Sequence, residues 1–134
     1  MVSRKTVYSQ AAPKPIGPYS QAVEAGDFIF CSGQIPLEPV SGGMIEGSIE
    51  IQTARVLDNL EAVLAASGSS LGEAVKLTVY LTDLADFNSL NRVLAERFPK
   101  DPPARSVVQV SALPRNAKVE MDLIALKTHR RKGR

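Results

Sequence analysis

The chain has 134 residues, 44% of them hydrophobic and 22% charged, an ordinary composition for a soluble globular protein and enough for one domain with a real core. Its formal charge of +2 conceals a split. Five of the sixteen basic residues fall within positions 127–134, so residues 1–126 carry eleven basic against fourteen acidic side chains, and a body of net −3 is not a nucleic-acid-binding surface.

The start, Met1-Val2-Ser3-Arg4-Lys5, leads into no apolar signal region, and no run approaches about 18 apolar residues. A cytoplasmic protein without a membrane partner is expected. Ile16–Val23 and Phe28–Gln34, around Ala25-Gly26-Asp27, predict a β-hairpin. Cys31 within it is the only cysteine, which excludes an internal disulfide, a zinc cluster and a CxxC pair; a small buried hydrophobe is its expected role. Pro36–Gly47 reads as a loop. Ser48 is a fair N-cap for a helix reaching about Ala66, with Ile49, Thr53, Val56, Leu57, Leu60, Val63 and Leu64 on one stripe and Gly68 as its stop.

Val75, Leu77, Val79 and Leu81 alternate with Lys76, Thr78 and Tyr80, a half-buried strand. A second helix is predicted from about Asp86 to Arg97, burying Phe87, Leu90, Val93 and Leu94 and ending before Pro99. Two last strands, through Pro103–Val110 and Val119–Leu126, read as a hairpin. Arg105, Val107 and Gln109 share one side of the first; Glu120, Asp122 and Ile124 share one side of the second. An antiparallel hairpin would bring both polar sides onto one face. Spacing leaves the register open, and with it any contact between Arg105 and Glu120.

The expected order is β-β-α-β-α-β-β, a single α+β domain over residues 1–126 with two helices on one face of the sheet, followed by a disordered basic tail, 127–134. Val107, Ile124 and Leu126 would lie on the uncovered face, which favours self-association.

Elimination narrows the chemistry. His129 is the sole histidine and sits in the basic tail, which argues against Ser-His, Cys-His and histidine-metal sites. No glycine-rich dinucleotide or phosphate loop is present. Carboxylates, tyrosines and backbone groups remain, with water as nucleophile. Arg105 is either a solvated edge residue or a fork for a substrate carboxylate. Glu120 is either solvent-exposed or catalytic, with Asp122 its rival. Asn91 falls on the apolar stripe of its helix, where a capping or helix-to-loop hydrogen bond is the plain alternative to a site role. Tyr19 is a hairpin aromatic or a pocket residue, and the glycine of Ser32-Gly33-Gln34 serves a bend or a close ligand approach.

Taken together the motifs resemble the RidA (YjgF) family of reactive-intermediate deaminases. The resemblance runs from about Ala12 to Ala125: Ala12-Pro13, Ile16-Gly17-Pro18-Tyr19-Ser20-Gln21-Ala22, Ser32-Gly33-Gln34-Ile35-Pro36, Gln52-Thr53 with Val56-Leu57-Asp58-Asn59-Leu60, Asp86-Phe87 with Asn91, Pro103-Ala104-Arg105-Ser106, Leu113-Pro114 and Val119-Glu120. It implies a chorismate-mutase-like α+β fold, assembled as a homotrimer with sites between subunits. It also implies hydrolysis of enamines and imines such as 2-aminoacrylate and 2-iminobutanoate to 2-oxo acids and ammonia, the activity of a 2-iminobutanoate/2-iminopropanoate deaminase, with no cofactor or metal. By the same resemblance Arg105 grips the substrate carboxylate and Glu120 holds and polarises the attacking water. Tyr19 from a neighbouring subunit and the Ser32-Gly33 backbone frame the substrate, and Asn91 orders the pocket. Val107 departs from the family, since many bacterial members carry cysteine there. Two other readings are a non-catalytic trimer that binds small carboxylates and a ribonuclease or translation inhibitor; the acidic body speaks against the latter.

Overall fold

A computed structural model describes residues 3–128. Six strands form one sheet: β1 (Arg4–Val7), β2 (Ala22–Ala25), β3 (Phe28–Gln34), β4 (Ala74–Leu81), β5 (Ala104–Gln109) and β6 (Val119–Leu126). Two helices, α1 (Ile49–Ala66) and α2 (Phe87–Arg97), complete the α+β domain. Among the described residues no helix is long and apolar enough to cross a membrane.

Spatial order in the sheet is β1-β2-β3-β6-β4-β5, antiparallel except for the parallel β4–β5 pair. Two expectations are corrected here. The element order gains an N-terminal strand, because Arg4–Val7 pairs with β2 from Arg4↔Ala25 to Val7↔Ala22. That strand is four residues long with three exposed, a charged edge strand of the kind that blocks edge-to-edge pairing.

The second correction is larger: β5 and β6 are not a hairpin. Helix α2 carries the chain from β4 over to β5, the long crossover that a parallel pair requires, and β6 inserts between β3 and β4.

Packing follows from side-chain spacing. The α1 stripe Ile49, Thr53, Val56, Leu57, Leu60, Val63 and Leu64 is buried throughout. It lies against Ile29, Leu77, Val79, Leu81, Val119, Met121, Leu123 and Ala125 of the sheet, joined by Leu90, Val93 and Leu94 of α2. Each buried leucine contributes about 1.5–3 kcal/mol. The Ser48 hydroxyl caps α1 by accepting from the Ile51 N–H at 3.2 Å, and Gly68, at φ 73°, ends it in a conformation that disfavours a β-carbon. Phe87 departs from expectation: it is only half-buried.

The opposite sheet face is uncovered. It carries Phe28, Phe30, Leu126 and Val108, all exposed, with the Phe28 and Phe30 rings 6.4 Å apart. Ile124 and Leu126 lie there as expected, but Val107 does not. Its register partner is Val79, and it packs on the helix side against the core. Past the sheet, the Lys127 N–H donates to the Asp27 carbonyl at 2.8 Å and its ammonium lies 3.5 Å from Glu24. Positions 129–134 of the expected disordered tail lie outside the described residues.

Candidate active site

Arg105 pairs with Leu77 across β5 and β4, which puts its side chain on the helix face at the sheet edge. There it meets α2. The Nη1 donates to Asn91 Oδ1 at 2.6 Å, and the guanidinium carbon lies 5.5 Å from the centre of the Phe87 ring. A charge-assisted hydrogen bond and a cation–π contact fix one edge and one face of the fork. Asn91 is therefore neither a cap nor a loop clasp; it is the acceptor that orients the arginine. Phe87 was assigned only to the core, though its i, i+4 spacing from Asn91 already put both on one helix face.

Glu120 sits elsewhere. It pairs with Tyr80, on the open face of the sheet, and is half-buried. Opposite it, β3 bulges: Cys31 pairs with Leu123 but Gln34 with Met121, so one extra residue is accommodated around Ser32-Gly33. A β-carbon at Gly33 would run into the Glu120 carboxylate, with Glu120 Cδ at 3.0 Å and Cγ at 3.3 Å. Gly33 is glycine so that the carboxylate can lie on the backbone. The two line a cleft of about 310 Å³ together with Pro13, Tyr19, Ser32 and Pro114.

Ser32 spends its polar groups internally. Its hydroxyl donates to the Ser20 carbonyl at 2.6 Å and its N–H to the Gln21 carbonyl at 2.9 Å. It thereby holds the Gly17–Ser20 loop that presents Tyr19, which is half exposed at the cleft. Sequence reasoning gave Gln21 no role beyond the motif. Its buried amide accepts from the Ser9 N–H at 2.6 Å and donates to the Ser9 and Pro13 carbonyls at 3.1 and 2.9 Å, pinning the cleft wall. A polar residue beside a strand gives no local signal of that role.

Electrostatics single out Glu120. Burial, and then the charge of Asp122 two residues along the strand, push its carboxyl above the ordinary value of 4.5. Asp122 itself accepts from the Tyr80 hydroxyl at 3.1 Å. Cys31 is buried, and desolvation with the Asp122 charge pushes its thiol up to about 12, so it is no nucleophile at neutral pH. Among the described residues no group of three or more His, Cys, Asp or Glu side chains is placed to hold a metal ion.

The two halves do not meet within one chain, which corrects the expectation of a shared face. Arg105 registers with Leu77 on one side of β4 and Glu120 with Tyr80 on the other. Two strand spacings and a three-residue stagger separate their α-carbons by about 14 Å, and the side chains leave opposite faces of the sheet. Arg105, Asn91, Phe87 and Val107 form one cluster. Glu120, Gly33, Ser32 and Tyr19 form the other.

A family model described as Endoribonuclease L-PSP matches residues 9–127. A RutC family protein of Pyrococcus abyssi is 48% identical over 126 residues, spanning 94% of this chain and 99% of the relative. Reactive Intermediate Deaminase A, chloroplastic, of Arabidopsis thaliana is 45% identical over 124 residues, spanning 92% of this chain and 66% of that protein. The crystal structure of E. coli TdcF with bound serine matches at a TM-score of 0.86 and 38% identity, covering 92% of this chain and 99% of that one.

Proposed function

Because this chain belongs to the Endoribonuclease L-PSP family, which is the RidA or YjgF family of reactive-intermediate deaminases, we propose that it hydrolyses small carboxylate-bearing imines to 2-oxo acids and ammonia. The substrates are 2-aminoacrylate, through its imine tautomer, and 2-iminobutanoate. The observation that carries this reading is the pair of preorganised, opposite charges: a guanidinium held by Asn91 and Phe87, and a carboxylate seated against Gly33. Their placement on opposite faces calls for a second copy. In a closed ring of three, Arg105 of one subunit and the Glu120 cleft of its neighbour converge on one substrate, and the uncovered sheet face is buried in the assembly.

In this scheme Arg105 binds the substrate carboxylate through its donors not given to Asn91. A water in the cleft attacks the imine carbon. Glu120 takes the water's proton and passes it to the nitrogen as the carbon–oxygen bond forms. The resulting carbinolamine loses the proton of its hydroxyl to Glu120, the carbon–nitrogen bond breaks, and ammonia leaves with that proton. Imine hydrolysis is fast without a catalyst, so positioning and one acid–base group suffice. Tyr19 and the Gly33 backbone wall the reacting carbon, and Ser32 acts through the loop it holds. The serine bound in the TdcF crystal supports a small amino-acid-like carboxylate as ligand.

Coupling the protein to a threonine dehydratase and following 2-oxo acid release tests the reading. Acceleration is expected in the wild type and is lost in Arg105→Ala and Glu120→Gln. No acceleration by a wild type that still binds small carboxylates would instead favour a carboxylate-binding regulator, and full activity in Arg105→Ala would overturn the reading.

A further inference from the structure

Alternation in β4 sends Leu77, Val79 and Leu81 into the core and leaves Lys76, Thr78 and Tyr80 on the open face of the sheet. Tyr80 stands opposite Glu120 on β6, and Thr78 opposite Asp122. The Tyr80 side chain reaches past its own partner to the diagonal one, a span that aromatic residues cover between antiparallel strands. Its hydroxyl donates to Asp122 Oδ2 at 3.1 Å. Glu120 and Asp122 share one face of β6 with their α-carbons about 7 Å apart, close enough for two carboxylates to turn together and share a proton. Here they are held apart: Asp122 is tied to β4, and Glu120 lies against the Gly33 backbone.

Few other groups bear on the pair. β4 adds Lys76, opposite Ile124, and β3 adds the Ser32-Gly33 bulge and the buried Cys31 thiol. Tyr19 lines the same cleft as Glu120. Lys118, the nearest basic residue in the chain, donates its ammonium to the Gly47 carbonyl at 2.7 Å. β5 sets only the uncharged Ala104, Ser106 and Val108 on this face, and the helices pack on the other. In the proposed ring the neighbour's Arg105 comes to Glu120 with the substrate. The Tyr80 hydroxyl is a lasting donor. Burial first, then its bond to Asp122 and the charges of Asp122 and Glu120, push it above the ordinary value of 10, so it keeps its proton wherever a carboxylate acts as base.

We propose that Tyr80 is a positioning residue of the deaminase: it ties Asp122 to β4, so that Glu120 alone takes and returns the proton of the attacking water. This rests on the deaminase reading above and goes beyond it in naming what keeps the second carboxylate out of the reaction. Freed of the tether, Asp122 turns to Glu120, and the two titrate as a coupled pair that holds its shared proton to a pH about one unit higher.

The test follows kcat/KM for 2-iminobutanoate against pH in the wild type, Tyr80→Phe, Asp122→Asn and the double variant. Tyr80→Phe removes one oxygen and keeps the ring, so β4 retains its packing. The readout is the pH at which the acid limb falls, whatever the height of the plateau. A limb about one unit higher in Tyr80→Phe, with no displacement by the same substitution in the Asp122→Asn background, supports the tether. An unmoved limb, or the same displacement with and without Asp122, overturns it. Carbon-13 titration of the Glu120 carboxyl, identified by its loss in Glu120→Gln, separates the tether from the reading it rests on. If the wild type turns over no imine, the deaminase reading falls; a Glu120 titration that Tyr80→Phe displaces upward only where Asp122 is present still upholds the tether. A titration that Tyr80→Phe leaves in place overturns the tether even in an active enzyme.

Discussion

Mixing two inactive variants should restore activity. Arg105→Ala removes the carboxylate fork, and with it a charge-assisted bond of about 1.5–3 kcal/mol, roughly a ten- to hundredfold loss in kcat/KM. Glu120→Gln removes the acid–base group, roughly a 10²–10⁴-fold loss. The α-carbons of the two residues stand about 14 Å apart across β4, and their side chains leave opposite faces. No one chain can therefore close both on a substrate of seven non-hydrogen atoms. In the closed ring proposed above, each site would draw its arginine from one subunit and its glutamate from the next. When the two variants are mixed in equal amounts and refolded together, half of the chains supply the arginine and half the glutamate. About one site in four is then intact, so about a quarter of wild-type activity should return. Stopped-flow measurement of 2-oxo acid formation reads this directly, and light scattering gives the ring size. Refolding Arg105→Ala with the Arg105→Ala/Glu120→Gln double variant is the control and should stay inactive. Failure of the first mixture to rise above its components would refute the two-chain site.

Three further outcomes follow from the Glu120 cleft. Gly33→Ala displaces the carboxylate and should lower kcat about ten- to a hundredfold, while thermal unfolding stays near wild type because a flexible side-chain end can swing away; unchanged kcat would break the link between Gly33 and Glu120. Glu120 must be ionised to accept the water's proton, and its carboxyl is raised, so the acid limb of kcat/KM should lie above pH 4.5. Asp122→Asn, removing the lesser of the two causes, should move that limb down without returning it to the ordinary carboxylate value, and an immobile limb would exclude Asp122 as a cause. A raised carboxyl stabilises the fold below its unfolded pKa and loses that contribution as pH rises through the folded value. Glu120→Gln should accordingly unfold at a higher temperature than wild type at pH 7–8, with the difference closing by about pH 4; calorimetric scans across that range decide it.

What was legible in the sequence was local. The α1 stripe, its Ser48 cap and Gly68 stop, and the alternation of Leu77, Val79 and Leu81 in β4 all follow from repeats of 3.6 or 2 against one core, and the structure has them as read; Val75 is the exception, exposed where the register shifts between Ala74 and Lys76. Alternation also grouped Arg105 with Val107 and Gln109 correctly. It could not say which strand lies beside β5. Consecutive strands usually pair, and here β6 goes elsewhere, so the hairpin and the shared face were both wrong. A clue was present: Val107, apolar and on the arginine's side, already favoured the helix face for Arg105. The Gln21 and Ser32 clasps depend on chain brought back by the β2–β3 hairpin, which no local window contains.

The position of β6 also bears on how this protein is made. Its segment is synthesised after every other element described, yet it occupies the middle of the sheet, between β3 and β4. Until residues 119–126 leave the ribosome, β1-β2-β3 and β4-α2-β5 are two fragments with unpaired edges and α1 has only part of its apolar bed. The strand that joins them is the one that carries Glu120. Completion of the fold and arrival of the carboxylate proposed to do the acid–base work are thus a single event, and a chain stopped at residue 118 should be open to proteolysis along its whole length.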